Sequence, residues 1–238
     1  MSSPSPRRRS IFTARLVNSA VEGQAPDVVD DLRRAILSGD EPPGTPIPIE
    51  AVSRFFGVSQ IPVREALMVL LGEGLVEHVP HVGYSVAKLS FVEFRELYDV
   101  RQALEAAALR EAVMHATLAD DAVVREIHAA MATAMAAGDE RGYHAESRRF
   151  HVALIAPARM QRLVHIYESA WNLTEPARPM SRVADTGRAV FYDDHDRMLA
   201  AFIARDAATL VAESLEHFSH LKSAIEVFRS DPDVFRQP

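Results

Sequence analysis

The segment GVSQIPVREALMVLLGEGLVEHVP, residues 57–80, constrains the fold more than any other part of the chain. Gly57 ends a preceding helical pattern, and Ser59 stands where the N-cap of the next helix is expected. A helix that begins after Ser59 places Gln60 and Arg64 one turn apart on the same side. The segment therefore predicts a tight turn followed by a helix that presents two polar side chains near its N-terminus.

Apolar spacing predicts what surrounds this helix. Apolar residues recur at helical spacing over residues 26–39, and a second short helix is expected over residues 49–56. After Gly74, the runs LVEHV and YSVAKL flank a PHVG turn, which is typical of a β-hairpin. Three helices followed by a hairpin form a winged helix-turn-helix. The residues expected on the buried side of the third helix are Val63, Ala66, Leu67, Leu70 and Leu71.

A helix-turn-helix places the N-terminal residues of its second helix against base edges in the major groove. There an arginine pairs with the O6 and N7 atoms of guanine, and a glutamine pairs with the N6 and N7 atoms of adenine. Arg64 and Gln60 occupy such positions. The pattern alone leaves open a simpler interpretation, in which Arg64 only solvates the surface of a small helical domain.

Residues 28–90 resemble the DNA-binding domain of the GntR family of bacterial transcription regulators. The elements AILSG…PG, GVS…PVREAL and L…EGLVE…G…V occur in the family's order and spacing. The resemblance implies that Arg64 reads a base, that Ser59 contacts a phosphate, and that residues 81–83 form the wing tip. The DNA-contacting residues expected on this basis are Arg34, Arg54, Ser59, Gln60, Ile61, Arg64, His81 and Gly83.

Several positions depart from the family's pattern. Gln60 replaces a usual arginine, and Ile61 replaces a common threonine. Glu50 stands near a position where an arginine is frequent, and Val82 replaces a basic wing residue. Phosphate contacts supply much of the affinity for DNA, and base contacts supply the sequence choice. We therefore expect weakened phosphate contact and a shifted operator sequence.

The remainder of the chain shows helical spacing without strand signals. Helices are expected over residues 90–115, 119–137, 140–156, 159–174, 189–204 and 206–229. They predict an antiparallel bundle of about six helices, so the fold class is mostly α. The expected organisation is a flexible arm (1–22), a winged helix-turn-helix domain (23–89), an all-helical effector-binding domain (90–230) and a tail (231–238).

This second half resembles the FCD ligand-binding domain found in the FadR branch of the same family. The matching pieces are LYDVRQALEAAAL, RRFHVALI and DDHDRMLAAFIARDAATLVAESLEHF. His151, His195 and His217 come from three predicted helices, and imidazoles that converge inside a bundle can hold Zn²⁺, Ni²⁺ or a similar divalent ion. That is their role in the resembling domains. The usual fourth ligand, an Asp or Asn, is here Ser147, a poor ligand at neutral pH.

Three further residues are expected to bind the effector. Arg101 and Glu105 match a pair common in the resembling domains, where the arginine faces the cavity. A guanidinium suits a carboxylate because it binds both oxygens, whereas an alternative is that Arg101 pairs with Glu105 at i, i+4. His144 lies two turns before His151 and is expected at the same cavity.

Composition narrows the class of protein. No apolar run approaches the roughly 18–20 residues needed to cross a bilayer, so we expect no membrane association. The absence of cysteine excludes disulfides and thiolate ligands, and no secretory signal is recognised, which favours the cytoplasm. Residues 1–88 carry 9 basic and 10 acidic side chains, so DNA contact must come from a local face.

The leading interpretation is a ligand-responsive transcription regulator without enzyme activity, most often a repressor in the resembling family. It would bind a pseudo-palindromic operator in double-stranded DNA as a homodimer and a small organic acid in its helical domain. One alternative is a metal-free regulator of the same branch that senses an apolar or acyl ligand, which Ser147 favours. A second is a metal-dependent hydrolase, since three histidines also form catalytic zinc sites, but no general base is indicated.

Overall fold

The computed structural model describes residues 12–19, 27–178, 183 and 185–237, with the backbone alone at residues 14, 15, 185 and 186. The chain divides into two compact units. The first comprises residues 1–90, 175–177 and 231–238, and the second comprises residues 91–174 and 178–230. Within the described residues, no single helix is long and apolar enough to cross a membrane. Two consecutive helices, residues 49–56 and 60–72, reach that length and apolar content only when they are counted together, and the chain bends by 115° between them.

The first unit contains three α-helices among its described residues, as predicted. They are α1 (Val28–Leu37), α2 (Ile49–Phe56) and α3 (Gln60–Gly72). The side chain of Asp27 caps α1 by accepting a hydrogen bond from the backbone N–H of Asp30. Gly57 ends α2 with a left-handed φ of 67°, which glycine adopts without steric cost, and α3 then departs at 115° to α2. The predicted bounds of α2 are confirmed.

The three helices are followed by a hairpin, which confirms the winged helix-turn-helix. The strands are β1 (Pro46–Ile47), β2 (Val76–Val79) and β3 (Gly83–Val86). They form an antiparallel sheet in the order β1-β3-β2, with Ile47 opposite Tyr84. The sequence did not predict β1. This edge strand has two residues and opens with a proline, so it depends on pairing with β3 and not on a pattern of its own.

The predicted arm and tail are wrong where the structure describes them. Phe12 and Leu16 are buried, so residues 12–19 are not a flexible arm, and the rest of 1–22 lies outside the described residues. Near the other end of the chain, Val234 and Phe235 are also buried. The backbone N–H of Arg236 donates to the carbonyl of Leu89 at 2.8 Å. Residues 231–237 are thus part of the first unit.

The second unit is an all-helical bundle, as predicted. Its α-helices are α4 (Phe91–His115), α5 (Leu118–Ala136), α6 (Glu140–Ile155), α7 (Gln161–Thr174), α8 (Asp185–Ile203) and α9 (Ala207–Glu226). Thr117 begins α5 with a capping box that includes Asp120. The core is filled by large apolar side chains from all six helices, including Leu109, Phe150, Tyr167, Phe202 and Leu210. Helix α4 packs against α6, α7 and α9, which brings its inward side chains to the middle of the bundle.

Candidate functional site

Helix α3 turns its polar N-terminal residues outward, as the sequence predicts. Val63 and Leu67 are fully buried on one side of the helix, whereas Gln60, Ile61 and Arg64 are exposed on the other. The prediction for Ser59 is only half right. Ser59 holds the N-cap position with an extended backbone, but its side chain makes no cap hydrogen bond. The exposed hydroxyl of Ser59 therefore stays available to an outside partner.

The arginines of the first unit differ in whether a carboxylate of the same chain forms an ion pair with them. Arg54 donates to the carboxylate of Glu50 at 2.8 Å, and Arg34 is paired with the buried Asp31. Arg33 binds Glu73 through two nitrogens, at 2.6 and 3.0 Å. For Arg64 the described residues supply no carboxylate partner. Arg64 is thus the cation of this helix that an external acceptor can engage without breaking an internal ion pair.

The predicted wing tip is a tight turn between β2 and β3. The backbone N–H of Val82 donates to the carbonyl of Val79 at 3.1 Å and closes the turn. His81 adopts a left-handed φ of 65°, and Gly83 follows with a φ of 116°. The side chain of Val82 is 83% exposed, so the tip presents an apolar group and an imidazole instead of a lysine or arginine.

Three histidines meet in the centre of the second unit, as the sequence predicts. His151 on α6, His195 on α8 and His217 on α9 are each at most 1% exposed. The Nε2 atoms of His151 and His195 lie 3.2 Å apart. One ring nitrogen from each of the three lies within 4.8 Å of those of the other two.

Two buried carboxylates fix the orientation of this histidine cluster. Glu105 on α4 lies 3.0 Å from Nδ1 of His151, and Asp194 on α8 lies 3.1 Å from Nδ1 of His217. Because an ionised carboxylate only accepts hydrogen bonds, both imidazoles carry their proton on Nδ1. Their Nε2 lone pairs remain for the centre of the cluster. This is the carboxylate–histidine pairing that supports metal ligands in proteins.

The carboxylate of Glu105 is held by further hydrogen-bond donors. Glu105 also accepts hydrogen bonds from the hydroxyls of Tyr167 at 2.5 Å and Ser214 at 2.8 Å. Burial opposes ionisation of Glu105, but the adjacent His151 and these hydrogen bonds together lower its pKa to about 2. The structure therefore corrects the role expected for Glu105. Its carboxylate supports His151 and does not face an effector.

The electrostatics of the cluster favour the neutral form of His195 and of His217. Burial, together with the neighbouring His217 and His151, lowers the pKa of His195 well below its usual range. Burial also lowers the pKa of His217 to about 4, although the hydrogen bond that its Nδ1 donates to Asp194 acts in the opposite direction. Neutral imidazoles have the free lone pair that metal coordination requires.

Ser147 and a buried tyrosine complete the surroundings of His195. The Ser147 hydroxyl lies 3.5 Å from Nε2 of His195, one helical turn before His151. On the other side of the ring, the Tyr143 hydroxyl lies 3.4 Å from Nδ1. Ser147 is thus placed where the usual fourth ligand would stand, but its side chain is shorter and uncharged.

A cavity adjoins the histidine cluster. The space not filled by protein atoms, including the part open to solvent, is about 330 Å³. Arg101 is 3% exposed, and its guanidinium carbon lies 3.5 Å from the centre of the Trp171 ring. Its Nε atom is buried without a hydrogen-bond partner among the described residues. The cavity is lined by Tyr98, Arg101, His144, Ser147, His151, Trp171, Thr174, His217 and Leu221.

The structure thus brings Arg101, His144, Ser147 and the histidines to one place, and it adds residues that the sequence did not reveal. Asp194 directly precedes His195 in the DDHD run, and this proximity in the sequence could have indicated a carboxylate near the histidines. Trp171 and Thr174 carry no such signal, because only the packing of α7 against α4 places them beside Arg101.

Two family models match the chain. The model for bacterial regulatory proteins of the gntR family matches residues 24–86, and the FCD domain model matches residues 96–220. The chain belongs to the GntR family. It is a DNA-binding transcription regulator with an FCD domain, and the two matches cover the winged helix-turn-helix and the histidine cluster respectively.

Individual relatives agree with the family models. A helix-turn-helix transcriptional regulator of Agrobacterium vitis is 36% identical over 130 residues, 53% of this chain and 76% of the relative. The transcriptional repressor RspR of Escherichia coli is 42% identical over 81 residues, 34% of this chain and 36% of the relative. The structure of E. coli McbR/YncC aligns with a TM-score of 0.75 at 22% identity and covers 84% of this chain and 95% of that one, so the fold is shared.

Proposed function

We propose that this GntR-family chain is a repressor that acts in the cytoplasm as a homodimer and is controlled by a small carboxylate. The carboxylate would bind between Arg101 and a divalent ion held by His151, His195 and His217. The observation that carries the proposal is the convergence of three buried imidazoles beside a buried guanidinium. Repression is the mode named for the relative RspR.

The donor set suits a divalent metal. Two nitrogens bound to one zinc ion at about 2.0–2.1 Å are at most about 4.2 Å apart, and the 3.2 Å between His151 and His195 satisfies this limit. The third nitrogen is within 4.8 Å, so a small side-chain adjustment completes the set. Zinc or nickel bound there would supply open positions for an anionic ligand, since three protein ligands leave the ion unsaturated.

The cavity suits a carboxylate. A planar guanidinium with an unsatisfied buried Nε offers the paired donors that a carboxylate accepts. The ring of Trp171 holds that guanidinium on one face, and the ring restricts its orientation. His144 lines the same cavity and adds a further polar group.

The exposed N-terminal face of α3 supports the DNA half of the proposal. Arg64 lacks an internal ion-pair partner among the described residues, and it stands one turn after Gln60 at the start of the recognition helix. Ser59, Arg54, Arg34, His81 and Gly83 remain predicted backbone or wing contacts. A homodimer would present two such helices to the two halves of a pseudo-palindromic operator.

The first test is the metal content of tag-free protein that has not met a chelator, measured by elemental mass spectrometry. We expect about one equivalent of zinc, nickel or manganese per chain and its loss in His195→Ala. Absence of metal after reconstitution would contradict the proposed metal site. It would favour a metal-free regulator that binds an apolar or acyl ligand.

The effector is tested separately, by screening small carboxylates for release of the protein from its operator. Arg101→Lys keeps the charge but not the paired donors, so we expect its response to be lost while DNA binding is retained. A response that survives in this variant would contradict the role of Arg101.

A further inference from the structure

Ile61 is an apolar residue on the exposed side of helix α3, beside the polar residues Gln60 and Arg64. It lies in the first turn of α3, and its side chain is 66% exposed. The apolar side of the same helix, which includes Val63 and Leu67, is fully buried. Ile61 therefore contributes nothing to the core of the first unit. An outside partner is the remaining source of apolar contact for its side chain.

The position of Ile61 relative to Arg64 suggests where that partner lies. Residues three apart on a helix are neighbours, with Cβ atoms about 5–6 Å apart. Successive bases on a DNA strand are about 3.4 Å apart. Two side chains with this spacing can reach base pairs that are one or two steps apart. If Arg64 contacts a guanine, Ile61 faces a base within two steps of it.

Base edges in the major groove offer a single type of apolar group, the C5 methyl of thymine. We propose that Ile61 reads a thymine methyl within two base pairs of the guanine read by Arg64. The inference rests on the proposed use of α3 to read the operator. It specifies an apolar contact that an arginine in this position would not provide.

The charge distribution of the first unit favours such a contact. Arg33, Arg34 and Arg54 are all engaged with carboxylates of the chain, and the wing tip carries Val82 instead of a cation. An apolar base contact adds affinity and sequence choice without breaking any of these ion pairs. The sec-butyl side chain of Ile61 against a methyl group supplies such a contact without a charge.

The test uses an operator selected by the full-length protein from a pool of random double-stranded DNA. Each thymine of the selected half-site is then replaced by deoxyuridine, which lacks only the methyl group, and the Kd is measured by fluorescence anisotropy. Loss of one buried methyl group corresponds to about 0.8 kcal/mol, or about a fourfold weaker Kd per half-site. We expect this loss at one thymine, and we expect Ile61→Ser to bind the thymine and deoxyuridine operators equally.

Val69→Ser is the matched control, because Val69 is an exposed apolar residue two turns further along α3. This variant should keep the full deoxyuridine penalty. The inference is overturned if no thymine replacement weakens wild-type binding, or if the penalty persists in Ile61→Ser. If the selection enriches no DNA sequence, the proposed use of α3 to read an operator is overturned as well. A selected operator whose binding is insensitive to Arg64→Ala, but sensitive to the methyl through Ile61, would overturn the role of Arg64 and the stated spacing from its guanine, and would leave the thymine contact of Ile61 standing.

Discussion

Replacement of Glu105 by glutamine tests whether the buried carboxylate organises the histidine cluster. The two side chains have nearly the same shape, so the core packing is retained. Glu105 accepts hydrogen bonds from His151, Tyr167 and Ser214. A glutamine amide has one oxygen acceptor and an NH₂ group, and the NH₂ must face one of these donors. Either His151 or a hydroxyl therefore loses its acceptor.

The expected effect of Glu105→Gln has two parts. Removal of a partner that orients a metal ligand lowers metal affinity by about 10–100-fold, or ~1.4–2.7 kcal/mol. In the metal-free protein, one buried donor is left without an acceptor, which lowers the free energy of unfolding by about 1–3 kcal/mol. Both effects follow from the full burial of Glu105, where water cannot replace the lost acceptor.

Competition for zinc between the protein and a fluorescent chelator measures the first effect, and urea unfolding in the presence of excess chelator measures the second. Glu146→Gln is the matched control, because Glu146 lies on α6 near the cluster but pairs with the surface residue Arg149. The reasoning is refuted if Glu105→Gln binds zinc within twofold of the wild-type affinity, or if the control loses as much.

Three further outcomes are expected. Ser147→Asp, which restores a carboxylate beside His195, should tighten zinc binding by about tenfold (~1.4 kcal/mol) in the same competition assay. Phe235→Ala should destabilise the first unit by about 3–5 kcal/mol, seen as an earlier unfolding transition in urea, because Phe235 is buried there. Glu50→Gln releases Arg54, so operator affinity should rise and the slope of log K against log salt should steepen by about 0.9 per half-site.

The elements of the fold that carry a local signal were predictable. Helix α2 has the predicted bounds, since Gly57 supplies its left-handed end. Strand β1 was missed because two residues have no periodicity and form a strand only against β3. The docking of residues 231–237 was missed for a similar reason, since the burial of Phe235 depends on residues far away in the sequence.

The convergence of the three histidines was predictable from the sequence, but the side chains that hold them were not. Three histidines on separate amphipathic helices indicated a common centre. The partner of each imidazole depends on helix rotation and packing, which a spacing pattern does not fix. Glu105 was therefore assigned to an effector when its carboxylate holds His151, and Asp194 was not singled out at all.

Under the proposed function, the effector and the metal would both act on helix α4. It carries Arg101, which lines the cavity, and Glu105, which orients His151. It also begins at Phe91, directly after Ser90, the last residue of the N-terminal segment of the first unit. A ligand that engaged Arg101 and a metal held by the histidines would act on α4 at two points one turn apart, directly at Arg101 and through His151 at Glu105. Coupling between sites requires an element that both ligands bias. Among the described helices of the second unit, α4 combines those two contacts with direct chain continuity to the DNA-binding unit, so a substitution at Arg101 should uncouple the effector from DNA without weakening DNA binding itself.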